Sequence, residues 1–184
     1  MFNEEYWIRQ AIDGNQSAFT QLYDIHFDKI YRYIYFRVKN QPEAEDLTQE
    51  VFIKALKNIG SYKLGKTPFA AWLFRIAHNQ VIDYARKAVR QRTSPLEEAA
   101  TVIGSDDPVV TTEQRWEIAE LNVAIAELSP AQQEVISLRF IAELAISDVA
   151  KILGKSEGTI KALQFNGTAS LRKLLVGKAG WQNI

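Results

Sequence analysis

The chain has 184 residues, 47% hydrophobic and 24% charged, enough for one ordinary domain or two small ones and too apolar for a disordered chain. Cysteine is absent and only His26 and His78 occur, which excludes disulfides, thiolate metal sites and cysteine nucleophiles and leaves little for a histidine metal site or a His-dependent triad. No apolar run approaches the roughly 20 residues of a membrane span, and Met-Phe-Asn-Glu-Glu is not the basic, apolar start of a signal peptide, so a cytoplasmic protein without membrane insertion is expected.

The net charge of +0 hides a strong partition. Residues 1–50 carry five Lys/Arg and nine Asp/Glu, and residues 51–92 carry nine and one. Residues 93–148 carry two and eleven, and residues 149–184 six and one. Two basic blocks are thus separated by an acidic one. A polyanion responds to local potential more than to net charge, and opposite blocks also suit pairing with each other.

Periodicity is helical almost throughout. Phe19, Leu22, Tyr23, Ile30, Ile34 and Val38 recur at three- and four-residue steps and predict an amphipathic helix over 17–39, whose many aromatics read as core and groove fillers. Asn40 is placed to cap a second helix, with Pro42 in its first turn, Glu43 positioned for a capping box and Gly60 as its stop. Ala44, Leu47, Val51, Ala55 and Leu56 are its expected inner stripe. Thr67-Pro68 opens a third helix running to about Arg92, with Phe69, Trp72, Leu73, Ile76, Ala77 and Tyr84 inward. Residues 93–112, with Ser94-Pro95, Gly104 and Asp106-Asp107-Pro108, lack a sustained stripe and read as a flexible linker. Beyond it a helix is expected through Ile118, Leu121, Ile125 and Leu128, and a new one from the capping box Ser129-Pro130-Ala131-Gln132. Ser147 is the expected cap of a short helix ended by Gly154, and Ser156 the cap of the last long one, with Ile160, Leu163, Leu171 and Leu174 inward. The fold class is all-α: two small helical domains, 1–92 and 113–184, joined by a flexible linker, the second with a helix-turn-helix.

Three segments carry functional chemistry. A short helix, a tight turn at Gly154 and a capped second helix over 146–163 match a helix-turn-helix, which enters the DNA major groove by the first residues of its second helix. Those residues are Ser156, Glu157, Gly158, Thr159 and Lys161, with Lys155 and Arg139 as phosphate partners; the same pattern also fits a plain helical hairpin in a bundle. On the helix from Pro68, Arg75, Asn79, Arg86 and Arg90 fall on one flank at about 100° per residue. With Lys63 and Lys66 in the preceding loop, beside Tyr62 and Phe69, this ribbon suits a single strand, cations tracking phosphates and the loop holding an unstacked base; a solvated helix face is the alternative. Glu43, Glu45, Asp46 and Glu50 crowd one helical segment without histidine partners. They read as helix-dipole compensation and a protein-docking face rather than a metal site. His26, between Asp24 and Asp28 on a helix, reads as structural.

Together these residues resemble a two-domain sigma factor of the sigma-70 family, extracytoplasmic-function group. Glu45-Asp46-Leu47-Thr48-Gln49-Glu50-Val51-Phe52 is similar to the polymerase-binding segment of region 2. Phe69-Ala70-Ala71-Trp72-Leu73-Phe74-Arg75-Ile76-Ala77-His78-Asn79, with Asp83 and Arg86, is similar to the promoter-melting segment. Leu128 to Val135, Leu138-Arg139-Phe140 and Gly158-Thr159-Ile160-Lys161 resemble region 4. The resemblance runs from about Ala18 to Leu175, in the family's order and spacing. It implies a promoter-specificity factor, not an enzyme, with no cofactor and no small-molecule substrate. Asp46, Gln49 and Glu50 would bind core RNA polymerase. Tyr62, Lys63, Lys66, Arg75, Asn79, Arg86 and Arg90 would hold −10 single-stranded DNA, with a flipped base in the Ser61–Phe69 loop. Arg139, Lys155, Ser156, Glu157, Thr159, Lys161 and Gln164 would contact the −35 element of promoter DNA. An anti-sigma factor is a further implied partner, and a sigma-like mimic that binds an anti-sigma factor without binding DNA is the alternative reading. Two residues depart from the family pattern. Asn166 stands where an arginine is common, and Gly167 lies inside the expected helix at a cost near 1 kcal/mol.

Overall fold

A computed structural model describes residues 4–91, 121 and 123–176. Among them the regular structure is helical, and the elements begin where the local chemistry directs. The first helix, α1 (Glu4–Ile12), has no counterpart in the sequence reading and buries Ile8 and Ala11. Asn15 caps α2 (Gln16–Val38) by accepting from Ala18 N at 3.2 Å, and Lys39, at φ 55°, closes it in the left-handed conformation. The Asn40 side chain accepts from Glu43 N at 3.1 Å to start α3 (Gln41–Asn58), as its sequence predicts. The α-helix ends before Gly60 and tightens into a 3₁₀ turn, Ile59–Ser61.

In the next loop Gly65 takes φ 78°, and α4 spans Phe69–Gln91. Trp72 N donates to Pro68 O at 3.1 Å, which puts Pro68 at the cap rather than at the first helical position. Residues 92–120 lie outside the described residues, and with them the expected linker. Residues 123–126 are helical. The predicted capping box is complete: Ser129 Oγ accepts from Gln132 N, and Gln132 Oε1 from Ser129 N, opening α5 (Pro130–Ile136). A wide π-type turn, Ser137–Ile141, follows, with Ala142 N donating to Ser137 O at 3.0 Å.

Helix α6 (Ile146–Leu153) starts from Ala145, without a side-chain cap, so Ser147 lies within it rather than capping it. Gly154, at φ 62°, makes the expected turn, and Ser156 Oγ accepts from Thr159 N at 3.1 Å at the head of α7 (Glu157–Val176). Gly167 is helical and buried. A Cβ added there would lie 3.1 Å from Ile136 Cγ1, so glycine permits the close approach of α7 to α5.

Helices α1 to α4 pack around Leu22, Ile30, Tyr33, Ile34, Val51, Leu73 and Phe74, and this apolar cluster continues without a break into Val135, Leu138, Val149 and Ile160. Each such side chain contributes roughly 1.5–3 kcal/mol of burial. The two halves expected from the sequence therefore share one core. Their seam also carries a polar cluster: Arg37 Nη2 donates to Glu134 Oε1 at 3.0 Å, and His78 Nδ1 lies 3.8 Å from that oxygen and 3.2 Å from Tyr33 Oη. Lys29 pairs with Glu143 nearby. An open cleft of about 420 Å³ runs along the seam beside Glu4, Ile25, His26, Lys29, Glu143 and Asp148.

Candidate nucleic-acid and protein interfaces

On α3 the exposed face comprises Asp46, Gln49 and Glu50, as expected, but continues into Ile53 and Leu56, exposed by 51% and 48%. Leu56 was expected inward. Phe52 occupies the core instead, ringed by Tyr23 at 4.6 Å and Phe27 at 6.4 Å. At about 100° per residue the five residues from Asp46 to Leu56 fall within one arc of about 120°, an acidic edge followed by an apolar one. Such a face suits a partner that offers both cations and apolar surface. Helical angle alone carried the signal for Ile53. Glu50 is not wholly free: it accepts from Gln80 Nε2, whose Oε1 accepts from Lys54 Nζ, so this network joins α3 to α4.

On α4, Arg75, Asn79, Arg86 and Arg90 all lie on the exposed flank, and Lys63 and Lys66 are exposed in the preceding loop. Asp83 stands 3.7 Å from Arg86, both largely in solvent, which gives a weak pair. Trp72, Ile76 and Tyr84, expected on the buried face, are only half-buried, and Phe74, Gln80 and Val81 are buried in their place. Tyr62 does not line the loop's outer surface. It is buried, its hydroxyl donates to Thr67 O at 2.6 Å, and its ring meets Phe69 and Trp72 at 5.4 Å each. The ring is thus the floor that holds the Lys63–Lys66 loop in shape. Trp72 and Arg75 face Asp148, Lys151 and Ile152 of α6 across a crevice of about 80 Å³, so the second half of the chain borders the head of the ribbon.

On α7 and its approaches, Lys155, Ser156, Glu157, Thr159 and Lys161 are exposed. Ser156 and Thr159 are committed to the cap, their hydroxyls 2.9 Å apart. Arg139 and Gln164 are half-buried and bound to each other, Arg139 Nε donating to Gln164 Oε1 at 2.8 Å while its Nη1 donates to Leu144 O. They brace the π-type turn against α7. The exposed face of α7 further presents Phe165, 73% exposed, and Asn166, neither of which was among the expected contacts.

Titratable groups in the seam answer mainly to burial. His26 is buried against Phe69, with ring centroids 5.5 Å apart, and its Nε2 lies 2.8 Å from Glu4 Oε1. Burial holds its pKa below 6.5, and the Glu4 carboxylate only partly offsets this. His78 is likewise held down by burial, against Glu134 and with Arg37. Among the described residues no cluster of three or more histidines and carboxylates is placed to hold a metal, and no helix is long and apolar enough to cross a membrane.

The arrangement sets an exposed acidic-apolar helix face beside a helix with a cationic flank, followed by a helix-turn-helix. Family profiles match in the same order, Sigma-70 region 2 over residues 22–91 and Sigma-70, region 4 over residues 124–173. The ECF RNA polymerase sigma factor BldN of Streptomyces coelicolor is 38% identical over 171 residues, covering 91% of this chain and 64% of BldN, so the match spans less than two-thirds of that relative's length. The ECF RNA polymerase sigma factor SigW of Bacillus subtilis is 35% identical over 180 residues, covering 91% of this chain and 94% of SigW. The sigma factor RpoE of Bartonella quintana, solved with the anti-sigma factor NepR, superposes with a TM-score of 0.72 at 25% identity, covering 86% of this chain and 96% of RpoE. The chain belongs to the extracytoplasmic-function sigma factors of the sigma-70 family, which are promoter-specificity factors and not enzymes.

Proposed function

We propose that the chain works in the cytoplasm in two units, residues 1–92 and 113–184 joined by 93–112, on core RNA polymerase. The α3 face of Asp46, Gln49 and Glu50, extended by Ile53 and Leu56, docks on the polymerase. Lys63, Lys66, Arg75, Asn79, Arg86 and Arg90 then hold the −10 non-template strand, with Tyr62 supporting the loop from beneath. The second unit meets the −35 duplex through Lys155, Glu157 and Lys161, with Ser156 and Thr159 capping the helix that carries them and Arg139 and Gln164 bracing that surface. Its work is differential binding: it holds the open promoter more tightly than the closed one and makes or breaks no covalent bond. The observation that carries the reading is the juxtaposition of the acidic-apolar face of α3 with the cationic flank of α4, two exposed surfaces on adjacent helices of one packed unit.

The closed seam fits this cycle. Because α6 borders Trp72 and Arg75, parting the two units would widen the path of the −10 strand along α4. A protein that holds them together would keep the factor silent, the role we assign to an anti-sigma partner, and RpoE is seen bound to one. Promoter-dependent run-off transcription with purified core polymerase tests the whole reading. Polymerase-bound, promoter-selective initiation is expected. A chain that binds an anti-sigma protein but leaves core polymerase and promoter untouched would be the mimic instead.

A further inference from the structure

A single carboxamide joins the acidic-apolar face of α3 to the helix that carries the cationic flank. Gln80 of α4 is only 4% exposed, yet both ends of its amide meet a charged group of α3. Its Nε2 donates to Glu50 Oε2, and its Oε1 accepts from Lys54 Nζ. Glu50 and Lys54 stand at i and i+4 with the acid first, the order in which such side chains pair directly on a helix. The Gln80 amide stands between them instead. It occupies one acceptor site of a carboxylate that has about four, and one of the roughly three donors of an ammonium. Each charged group keeps capacity for an outside partner, and both residues are exposed.

Helical placement gives the two groups different outlooks. With Asp46 as zero on α3, the docking face runs from Leu56 at about 280° to Glu50 at about 40°, and Lys54 falls beyond that edge at about 80°. With Phe69 as zero on α4, Gln80 falls at about 20° and the cationic flank at about 240–300°. Between Gln80 and the flank lie Lys87 and Asp83, both exposed, whereas Leu73, Ala77 and Phe74 on its other side are buried. An exposed Lys54 bonded to Gln80 therefore reaches solvent on the side of the flank and lengthens its row of cations. We propose that Gln80 is a positioning residue: it holds Glu50 and Lys54 apart, leaving the carboxylate open to a cation of the polymerase and the ammonium open to a phosphate of the −10 strand. The inference rests on the reading that these two surfaces bind polymerase and single-stranded DNA. Without the amide, the two charges close into a direct pair, and each withdraws the other from its partner.

Two measurements on full-length variants test this: affinity for core polymerase, and binding of the holoenzyme to the non-template strand of a promoter found by run-off transcription, over a range of salt. Gln80→Met keeps an unbranched side chain of similar length and removes the amide. It should weaken core binding on the order of 3-fold. It should also make the plot of log strand affinity against log salt shallower by about 0.7, the share of one phosphate contact on a single strand. Lys54→Met alone should give the same shallower slope with core affinity kept. In Gln80→Met with Lys54→Met, Glu50 has no cation to close on, so core affinity should return to the parental value while the slope falls no further than in either single variant. A role for Gln80 in packing alone would not be rescued by removing Lys54. A loss of core affinity that persists in the double variant therefore overturns the proposal. So does a slope that Lys54→Met leaves unchanged, and because Lys54 is exposed that result stands whether or not Gln80→Met folds. A parent chain that binds neither core polymerase nor the strand overturns the reading beneath, and the proposal with it.

Discussion

Two residues show how burial decides what a side chain does here. His26 sits neutral beneath Phe69 because burial opposes its charge more than Glu4 favours it. His78 in the seam behaves alike. Their folded pKa values lie below 6.5, so as pH falls the unfolded chain takes up protons first. Stability is therefore full above the unfolded value and declines as pH drops below about 6.5, before carboxylates titrate. A thermal midpoint that holds from neutral to mildly alkaline pH and falls as pH drops below about 6.5 is expected. His26→Gln with His78→Gln should flatten that slope, and a slope that survives both would assign it to other groups. Gly167 makes the converse case. Alanine in a helix interior gains up to about 1 kcal/mol over glycine, but here its Cβ would press Ile136 at 3.1 Å, and overpacking costs roughly 1–3 kcal/mol. Gly167→Ala should therefore destabilise by about 1 kcal/mol in urea denaturation. Ile136→Val in the same chain should recover part of the loss; a stabilised single variant would show that Ile136 yields freely.

At the scale of elements, the proposed function divides the work between α3 and α4, and each can be disabled separately. Asp46→Lys with Ile53→Asp alters both parts of the docking face without touching the Glu50–Gln80–Lys54 network. Core-polymerase affinity should fall at least 10-fold, about 1.4 kcal/mol, with the helical circular-dichroism signal unchanged. Native binding at parental strength would remove α3 from the polymerase interface. Arg75→Ala with Arg86→Ala should leave core binding intact while promoter opening drops, and should lower the salt slope by about one per lost phosphate contact. Permanganate reactivity of promoter thymines at parental levels would refute the single-strand role. Most of these elements were legible in the sequence because their signals are local: Asn40, Ser129, Gly154 and Ser156 act within one turn of where they sit. The failures are also physical. Leu56 and Phe52 are both apolar at helical spacing, and only the aromatic pocket of Tyr23 and Phe27 decides which turns inward. The interior of the Ser61–Phe69 loop is hidden from the sequence for the same reason, since Tyr62 becomes a floor only once Thr67 and Trp72 are folded over it. The cationic flank of α4 was legible because charge placed on a helix surface needs no partner to stay there.

At the scale of the whole molecule, the closed seam is what the sequence did not announce. Arg37 and Glu134 are 97 positions apart, and nothing local to either marks the other. Their pair is well shielded, with side chains 15% and 17% exposed, and Arg37 Nη1 is buried without a hydrogen-bond partner among the described residues. A shielded pair of this kind contributes little over an apolar replacement but is costly to break from one side, because the surviving charge stays buried. The seam thus has an asymmetry that mutation can expose. Glu134→Gln and Arg37→Gln should each weaken the closed form by a few kcal/mol, while Arg37→Met with Glu134→Leu, which removes both charges and keeps the volume, should restore it. Small-angle scattering of the free chain reads the result directly: a larger radius of gyration for each single variant, and the parental value for the double. Parting the units also removes an energetic cost that polymerase otherwise meets on binding, so core affinity should rise in both single variants and return in the double, as it does whenever the competent state becomes more populated. Scattering curves that coincide for all four chains would show that the apolar contacts from Val135 to Val149 hold the seam alone and that the ion pair only accompanies them.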